Sequence, residues 1–473
     1  MNKSVPVFAV LGHPNEGKSS VVSTLTENDK IRISSTPGET IHSKAYSVII
    51  DNEEIIRFVD TPGFQVPKKT LVWFKAYTGT EDNIVKAFIN EHSDNEIFKD
   101  ECELFKPVVQ GAGIIYVVDG SKPVRSDDKA EMEILRLTGK PRMAIINSKA
   151  ENEEYLPDWK NEFRKTFNSI RIFNSNKANY IERIALLTGL KSIDQDWESQ
   201  LEKVTHAFKE DWKQRNLTAS QLIFEEIENC ITYSISSDFS DEKDESEERK
   251  KLIEKYQDRI KKIEHRTHNK IKKLFKHNIF NITLPEYSVL HEDLFSSKTY
   301  QVLGLTQTQL MTIAALSGGA IGALVDVAAA GISFGVFTAI GGAIGAGSAL
   351  LGGKSMSQVK IVGLPLGGNK LKVGPNENVQ FLFILLDRAL LYYSHVINWA
   401  HGRRDYPDRE NYAELYKKEK GYTTLFSKDF QKICLRFFRA CVRNDEYEKE
   451  KHSGKFHDLI EKCLKNIIND ESI

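Results

Sequence analysis

The sequence predicts an α/β P-loop domain with a six-stranded, mostly parallel sheet, followed by a mainly α-helical domain containing a Gly-rich helical hairpin. Three observations carry this expectation. Residues 1–190 alternate apolar runs of strand length with amphipathic helical patterns, the signature of a parallel sheet covered on both faces. The stretch Gly12-His13-Pro14-Asn15-Glu16-Gly17-Lys18-Ser19 falls between a strand and a helix, the setting in which this spacing forms a phosphate loop. Later parts of the chain read as long helices interrupted by a Gly-rich apolar segment.

The predicted strands are residues 5–11, 45–50, 55–59, 114–118, 143–146 and 170–173. The second and third are joined only by Asp51-Asn52-Glu53-Glu54, short enough for a hairpin, so one antiparallel edge strand is expected on the parallel sheet. Three parts follow: a P-loop domain at 1–190 with an insertion at 64–110, a helical linker and charged coiled-coil-like helix at 191–277, and a helical C-terminal domain at 278–473 with the hairpin at 310–353. Within the insertion, helical pattern centres on residues 82–92 and 94–105.

A chain of 473 residues has ample material for two or three cores. Its 65 basic and 66 acidic side chains nearly cancel, which excludes a strong global attraction to nucleic acid or anionic lipid. The five cysteines are scattered with no C-x-x-C pair, and Met1-Asn2-Lys3-Ser4 leads directly into a strand. A cytoplasmic protein without a disulfide framework is the expectation, with the inner membrane as the alternative that the hairpin raises.

In the phosphate loop, backbone N–H groups and the dipole of the following helix attract an anion. Lys18 would reach the β- and γ-phosphates, and the Ser19 hydroxyl would ligate Mg²⁺. Asp60-Thr61-Pro62-Gly63 closes the third predicted strand, where Asp60 can hold Mg²⁺ and the Gly63 N–H can sense a γ-phosphate. Between these motifs, Thr36-Pro37-Gly38-Glu39-Thr40 offers Thr40 as a second hydroxyl on Mg²⁺. The candidate catalytic set is Lys18, Thr40 and Gly63, and the candidate metal set is Ser19, Thr40 and Asp60. Nucleotide contacts are assigned to Gly12, Asn15, Glu16, Gly17, Lys18, Ser19, Ser20, Asn147 and Lys149.

Gly-His-Pro-Asn-Glu-Gly-Lys-Ser, Thr-Pro-Gly-Glu-Thr and Asp-Thr-Pro-Gly-Phe resemble the first three nucleotide motifs of the Era/TrmE-like GTPases. The whole chain is similar to a bacterial family that joins such a domain to a C-terminal domain of unknown function. That similarity includes His291-Glu292-Asp293-Leu294-Phe295, residues 385–390 and His401-Gly402-Arg403-Arg404-Asp405. The resemblance implies GTP and GDP as ligands and GTP hydrolysis as the activity. In the TrmE branch, an Asn matching Asn15 helps bind K⁺, so Asn15 is a K⁺ candidate by resemblance. Where these GTPases carry Asn-Lys-x-Asp to read guanine, this chain has Asn147-Ser148-Lys149-Ala150, with Glu151 one position beyond, so guanine preference is unproven. Residues 174–178 are a weak match to the last base-contacting motif. Phe64 replaces the Gln that orients the attacking water in signalling GTPases, which implies slow turnover dependent on dimerisation or a partner. The insertion follows directly and is expected either to move with nucleotide state or to be a static surface element.

Residues 236–248 form an acidic polar run expected to be exposed. A helix follows in which Leu252, Tyr256, Ile260, Ile263, Ile271 and Leu274 recur at three- and four-residue steps, opposite a basic face from Lys261 to Lys276. His265 and His268 on it read as surface histidines. Residues 310–353 hold eleven of the 29 glycines and one charge, Asp326. Each arm, about 20 residues long, would span the ~30 Å core of a bilayer, and Gly318, Gly322, Gly331, Gly335, Gly341 and Gly345 set up close helix packing. A membrane-entering hairpin and a hairpin packed inside the helical domain both fit. Asp387, Arg388, His401, Arg403, Arg404 and Asp405 read as ion pairs closing that domain.

The function expected is GTP hydrolysis whose nucleotide state controls engagement of a membrane or an oligomeric partner by the C-terminal domain. A non-hydrolysing nucleotide-regulated scaffold and an RNA- or ribosome-associated GTPase are the alternatives, with nucleic acid the less favoured partner.

Overall fold

In the computed structural model the described residues are 5–27, 42–50, 52–79, 83–148, 154–174, 180–238, 245–275, 288–306, 308–310, 370–398 and 421–469. They divide into two compact units, the first running to Gln214 and the second taking up the rest from Arg215, apart from Ile397 and Asn398. The expected 36–40 loop with Thr40, the base-motif residues Lys149, Ala150 and Glu151, residues 175–178, the hairpin beyond Leu310 and the 401–405 segment lie outside the described residues.

The first unit contains β1 (Val7–Leu11), α1 (Lys18–Thr26), β2 (Lys44–Ile50), β3 (Glu53–Asp60), α2 (Pro67–Ala76), α3 (Ile84–His92), α4 (Lys99–Val109) and β4 (Gly113–Asp119). It continues with α5 (Ser126–Leu137), β5 (Arg142–Asn147), α6 (Leu156–Phe163), β6 (Ser169–Phe173), α7 (Tyr180–Lys191) and the start of α8 (Gln195–Thr232). The six strands lie in the order β2-β3-β1-β4-β5-β6. β2 runs antiparallel to β3 and the rest are parallel, as the sequence predicts.

The alternation in β1 shows why both faces are covered. Phe8 and Val10 join Val21, Leu25, Leu187, Leu190 and Phe208 on one face, whereas Ala9 and Leu11 join Phe64, Phe88, Phe105 and Trp159 on the other. The β2–β3 turn is tighter than the expected four-residue link. Ile49 and Ile50 already pair with Glu54 and Glu53, and Asn52 takes a left-handed φ of 64°.

The insertion holds one more helix than the sequence pattern predicts. Pro67 opens α2 at a favoured first-turn position, and Asn95 accepts the Ile97 N–H to cap a single 3₁₀ turn, which delays α4 until Lys99. Phe64, Phe74, Phe88 and Phe105 pack edge-on or tilted around one aromatic cluster.

The second unit holds the rest of α8, β7 (Ile235–Asp238), α9 (Glu245–Leu274), α10 (Ser297–Val302), β8 (Lys370–Val373), α11 (Val379–Ile397), α12 (Lys428–Val442) and α13 (Glu446–Asn469). β7 takes the start of the expected exposed acidic run and pairs antiparallel with β8. α11 is buried nearly all round, as befits a central helix. Among the described residues no helix is long and apolar enough to cross a membrane.

The apolar stripe of α9 is covered in part within the unit, with Ile263 and Leu274 half-buried. Leu252, Tyr256, Ile260 and Ile271 are buried, and Glu264, Thr267 and His268 complete the same face. His268 corrects the surface expectation: it is buried and stacks on Tyr392 at 3.8 Å, and burial pushes its ring down to about 4. His265 is exposed. Arg388 donates Nε to Glu264 at 2.5 Å and Nη1 to the Glu292 carbonyl at 3.1 Å, closing the unit as an ion pair. Asp387 has a different role from the expected ion pairing. It accepts the N–H groups of Gly304 at 2.6 Å and Thr423 at 2.7 Å, and the Thr423 hydroxyl at 2.8 Å.

Removing one partner of a fully buried ion pair leaves an uncompensated charge. Arg388→Ala is therefore expected to cost about 3–5 kcal/mol of stability in urea unfolding of the full chain. A loss below about 1 kcal/mol would show that Glu264 is not held ionised by this contact.

Candidate functional site

The site begins where β1 ends. Gly12 has φ 144°, and a Cβ there would lie 2.3 Å from the Val117 carbonyl oxygen of β4, so no side chain fits. Asn15 turns the loop with φ 65°, and Gly17 at φ 98° starts α1. The first turn of α1 has neither a side-chain cap nor an acidic residue. Its leading N–H groups therefore present the positive end of the helix to the loop. Lys18 folds back over that loop, donating to the carbonyls of Gly12 at 3.2 Å and His13 at 2.9 Å. Ser20 is buried in the same turn.

β3 delivers the second group. Val10 pairs with Asp60 across the parallel β1–β3 ladder, which sets the carboxylate beside α1. The Ser19 hydroxyl donates to Asp60 Oδ2 at 2.6 Å, while Oδ1 is buried without a hydrogen-bond partner. Burial pushes the Asp60 carboxyl up, against the Ser19 hydrogen bond and the Lys18 charge. Gly63 packs on the loop from the other side: a Cβ on it would approach Pro14 N to 2.5 Å. The next N–H, of Phe64, donates to the Gly12 carbonyl at 3.3 Å. The Phe64 ring is wholly buried and meets Phe105 at 5.9 Å, directed into the core.

The structure thus brings together Gly12, Asn15, Glu16, Gly17, Lys18, Ser19, Ser20, Asp60 and Gly63, and adds Asn147 from β5, whose Nδ2 donates to the Glu16 carbonyl at 3.1 Å. Glu16 reaches the opposite way. Its buried carboxylate accepts the Asp119 N–H and sits 3.3 Å from both Lys122 and Arg125. His13 Nδ1 lies 3.0 Å from Glu131 Oε1, and the Tyr116 hydroxyl donates to Oε2 at 2.9 Å. Burial raises the Glu131 carboxyl to about 7, against hydrogen bonds from His13 and Tyr116. Sequence reasoning missed Asp119, Lys122, Arg125 and Glu131. The one available signal was Asp119 at the end of an otherwise apolar strand, the position Asp60 holds in β3.

The described fold agrees with a family model. A family model described as "50S ribosome-binding GTPase" matches residues 7–148. GTPase Era of Clostridioides difficile is 30% identical over 139 residues, covering 29% of this chain and 38% of that protein. GTPase Der of Paraburkholderia phymatum is 28% identical over 150 residues, covering 32% of this chain and 28% of that protein. The chain therefore spans about a third of the length of these curated relatives. Among solved structures, Era in complex with MgGDPNP and nucleotides of 16S ribosomal RNA has 17% identity and a TM-score of 0.30, covering 58% of this chain and 90% of that one. An Aquifex aeolicus Era variant bound to GDP.AlF4⁻ has 18% identity and a TM-score of 0.29, covering 52% and 75%. A second family model, "Domain of unknown function (DUF3482)", matches residues 161–464, and on that match the chain belongs to the DUF3482 family, with a P-loop domain of the Era/Der-like GTPase class in front of it.

Proposed function

We propose that this protein binds GTP at the loop formed by residues 12–20 and hydrolyses it to GDP and phosphate. The observation that carries the reading is the convergence of Lys18, the uncapped start of α1 and the Ser19–Asp60 pair at the carboxyl edge of the sheet. Lys18 and the loop N–H groups would stabilise charge on the phosphates as water attacks the γ-phosphorus. Gly63, already against the loop, would offer its N–H to the γ-phosphate, with Thr40 joining from the preceding segment.

Ser19 and Asp60 fit Mg²⁺, because Asp60 Oδ1 is a buried oxygen with no hydrogen bond to occupy it. The ion would neutralise phosphate charge. Asn15 is the residue we assign to K⁺, on family resemblance and its place in the loop. With the Phe64 ring committed to the core, nothing at that position orients water, so intrinsic turnover is slow and a partner or a second copy raises it. By resemblance, Asn147 and Lys149 are the base contacts, with Ala150 where guanine is ordinarily read by Asp.

We further propose that nucleotide state governs engagement of a membrane or oligomeric partner by the C-terminal domain. The apolar segment 310–353 is the membrane candidate. Sedimentation of the full chain with inner-membrane vesicles in GDP and in GMPPNP tests it. The ribosome is a second reading, favoured by the family model's description as ribosome-binding. Cosedimentation with ribosomal subunits in GMPPNP, absent with vesicles, would select it.

Lys18→Ala is expected to lower turnover by at least about a hundredfold, and a variant with wild-type turnover would remove the mechanism. Asp60→Asn should raise the Mg²⁺ concentration needed for half-maximal turnover by about tenfold, read from a Mg²⁺ titration. Competition of GTP and ATP for a fluorescent GDP analogue decides the base. The raised Glu131 means that the folded state holds this proton more tightly than the unfolded chain does. Its contribution to stability is present below pH 4.5 and lost as pH rises toward 7, so Glu131→Gln should flatten the fall in unfolding free energy across that window.

A further inference from the structure

One helix, α4, holds both the residue before β2 and the residues that follow Gly63 and Phe64. Glu101 on α4 is fully buried, and its Oε1 accepts the N–H of Gln65 at 2.8 Å and of Val66 at 2.6 Å. These are the residues that follow Gly63 and Phe64. Val66 starts α2 and provides no side-chain cap, so Glu101 supplies the acceptor from another helix. Two residues on, Glu103 accepts the Ser43 N–H at 2.9 Å through its side chain, and the Ser43 hydroxyl donates to the Glu103 carbonyl at 2.9 Å. Ser43 immediately precedes β2, the strand that pairs Lys44 with Asp60.

α4 cannot shift freely to serve one contact at the expense of the other. Phe105 holds it against Phe64, Phe74 and Phe88 at centroid distances of 5.9, 5.7 and 5.8 Å. Glu101 and Glu103 are separated by only about 3 Å along the helix axis, and hydrogen bonds near 2.8 Å are lost within about 1 Å of displacement. A movement of either backbone segment is therefore passed to the other through α4.

We infer that Glu101 and Glu103 are positioning residues that make the chain entering β2 and the chain leaving β3 respond to the γ-phosphate as one body. The inference rests on the nucleotide reading above and adds to it the linkage between its two responsive segments. Coupling between such elements is reciprocal, so cutting the contact at one end must show at the other.

Hydrogen exchange of the full chain, measured with Mg²⁺ and either GDP or GMPPNP, reads both segments at once. In the wild type, residues 42–50 and 65–76 should each exchange differently in the two nucleotides. Ser43→Ala together with Glu103→Ala removes both of these hydrogen bonds and should shrink the nucleotide-dependent difference at 65–76 by about fivefold or more. Glu103→Gln, which keeps an acceptor for the Ser43 N–H, should preserve it. Glu103 carries the decisive variant because its side chain is 14% exposed, whereas Glu101 is wholly buried. A wild-type-sized difference at 65–76 in the Ser43→Ala/Glu103→Ala variant overturns the linkage, as does equal loss in that variant and in Glu103→Gln. If neither nucleotide protects residues 12–20 of the wild type, the nucleotide reading itself falls and the linkage with it. Protection there without coupling overturns the linkage alone.

Discussion

The phosphate-loop region depends on a close approach of backbones. β3, β1 and β4 lie side by side with parallel direction, and the loop leaving β1 passes between the ends of its two neighbours. Gly12 lies against the Val117 carbonyl and Gly63 against Pro14, with space for no Cβ at either place. That contact brings the start of α1, the Asp60 carboxylate and the Gly63 N–H to one edge of the sheet. A side chain at either glycine would push those groups apart and dissolve the site before its chemistry began.

Around this approach the protein buries acidic groups and surrounds each with donors. Glu16 faces the Asp119 N–H and two cations, Glu131 faces His13 and Tyr116, and Glu101 faces two N–H groups at the start of α2. An isolated buried carboxylate is costly, but one that accepts several hydrogen bonds fixes the direction of every donor. Glu16 and Glu131 thereby hold the loop through Asp119, Lys122, Arg125 and His13, and Glu101 holds the start of α2. The helical unit uses the same device in Glu264 with Arg388 and in Asp387 with Gly304 and Thr423, tying distant segments around α11.

The insertion after Gly63 takes its place in this arrangement through both kinds of force. Its aromatic cluster gathers α2, α3 and α4 and admits Phe64, while two carboxylates of α4 hold the backbone on either side of the site. Nonpolar packing sets where the helix lies, and the hydrogen bonds set which segments it answers to.

Much of this was legible in the chain itself, because local patterns encode it. The spacing of Gly12, Gly17, Lys18 and Ser19, the Asp60-to-Gly63 motif and the period-two strands depend on neighbours within a few residues, and they gave the sheet, its antiparallel edge and the loop. The charge of Arg388 points to an ion pair but not to Glu264, which lies 124 residues away in the chain. What the tertiary structure alone decided are contacts across long stretches of chain: Glu16 with Arg125, His13 with Glu131, Ser43 with Glu103 and the burial of His268 against Tyr392. Sequence periodicity reports which face of a helix is apolar, but it does not say what lies opposite. A histidine or glutamate within such a face acquires its role only when packing brings a partner and excludes water.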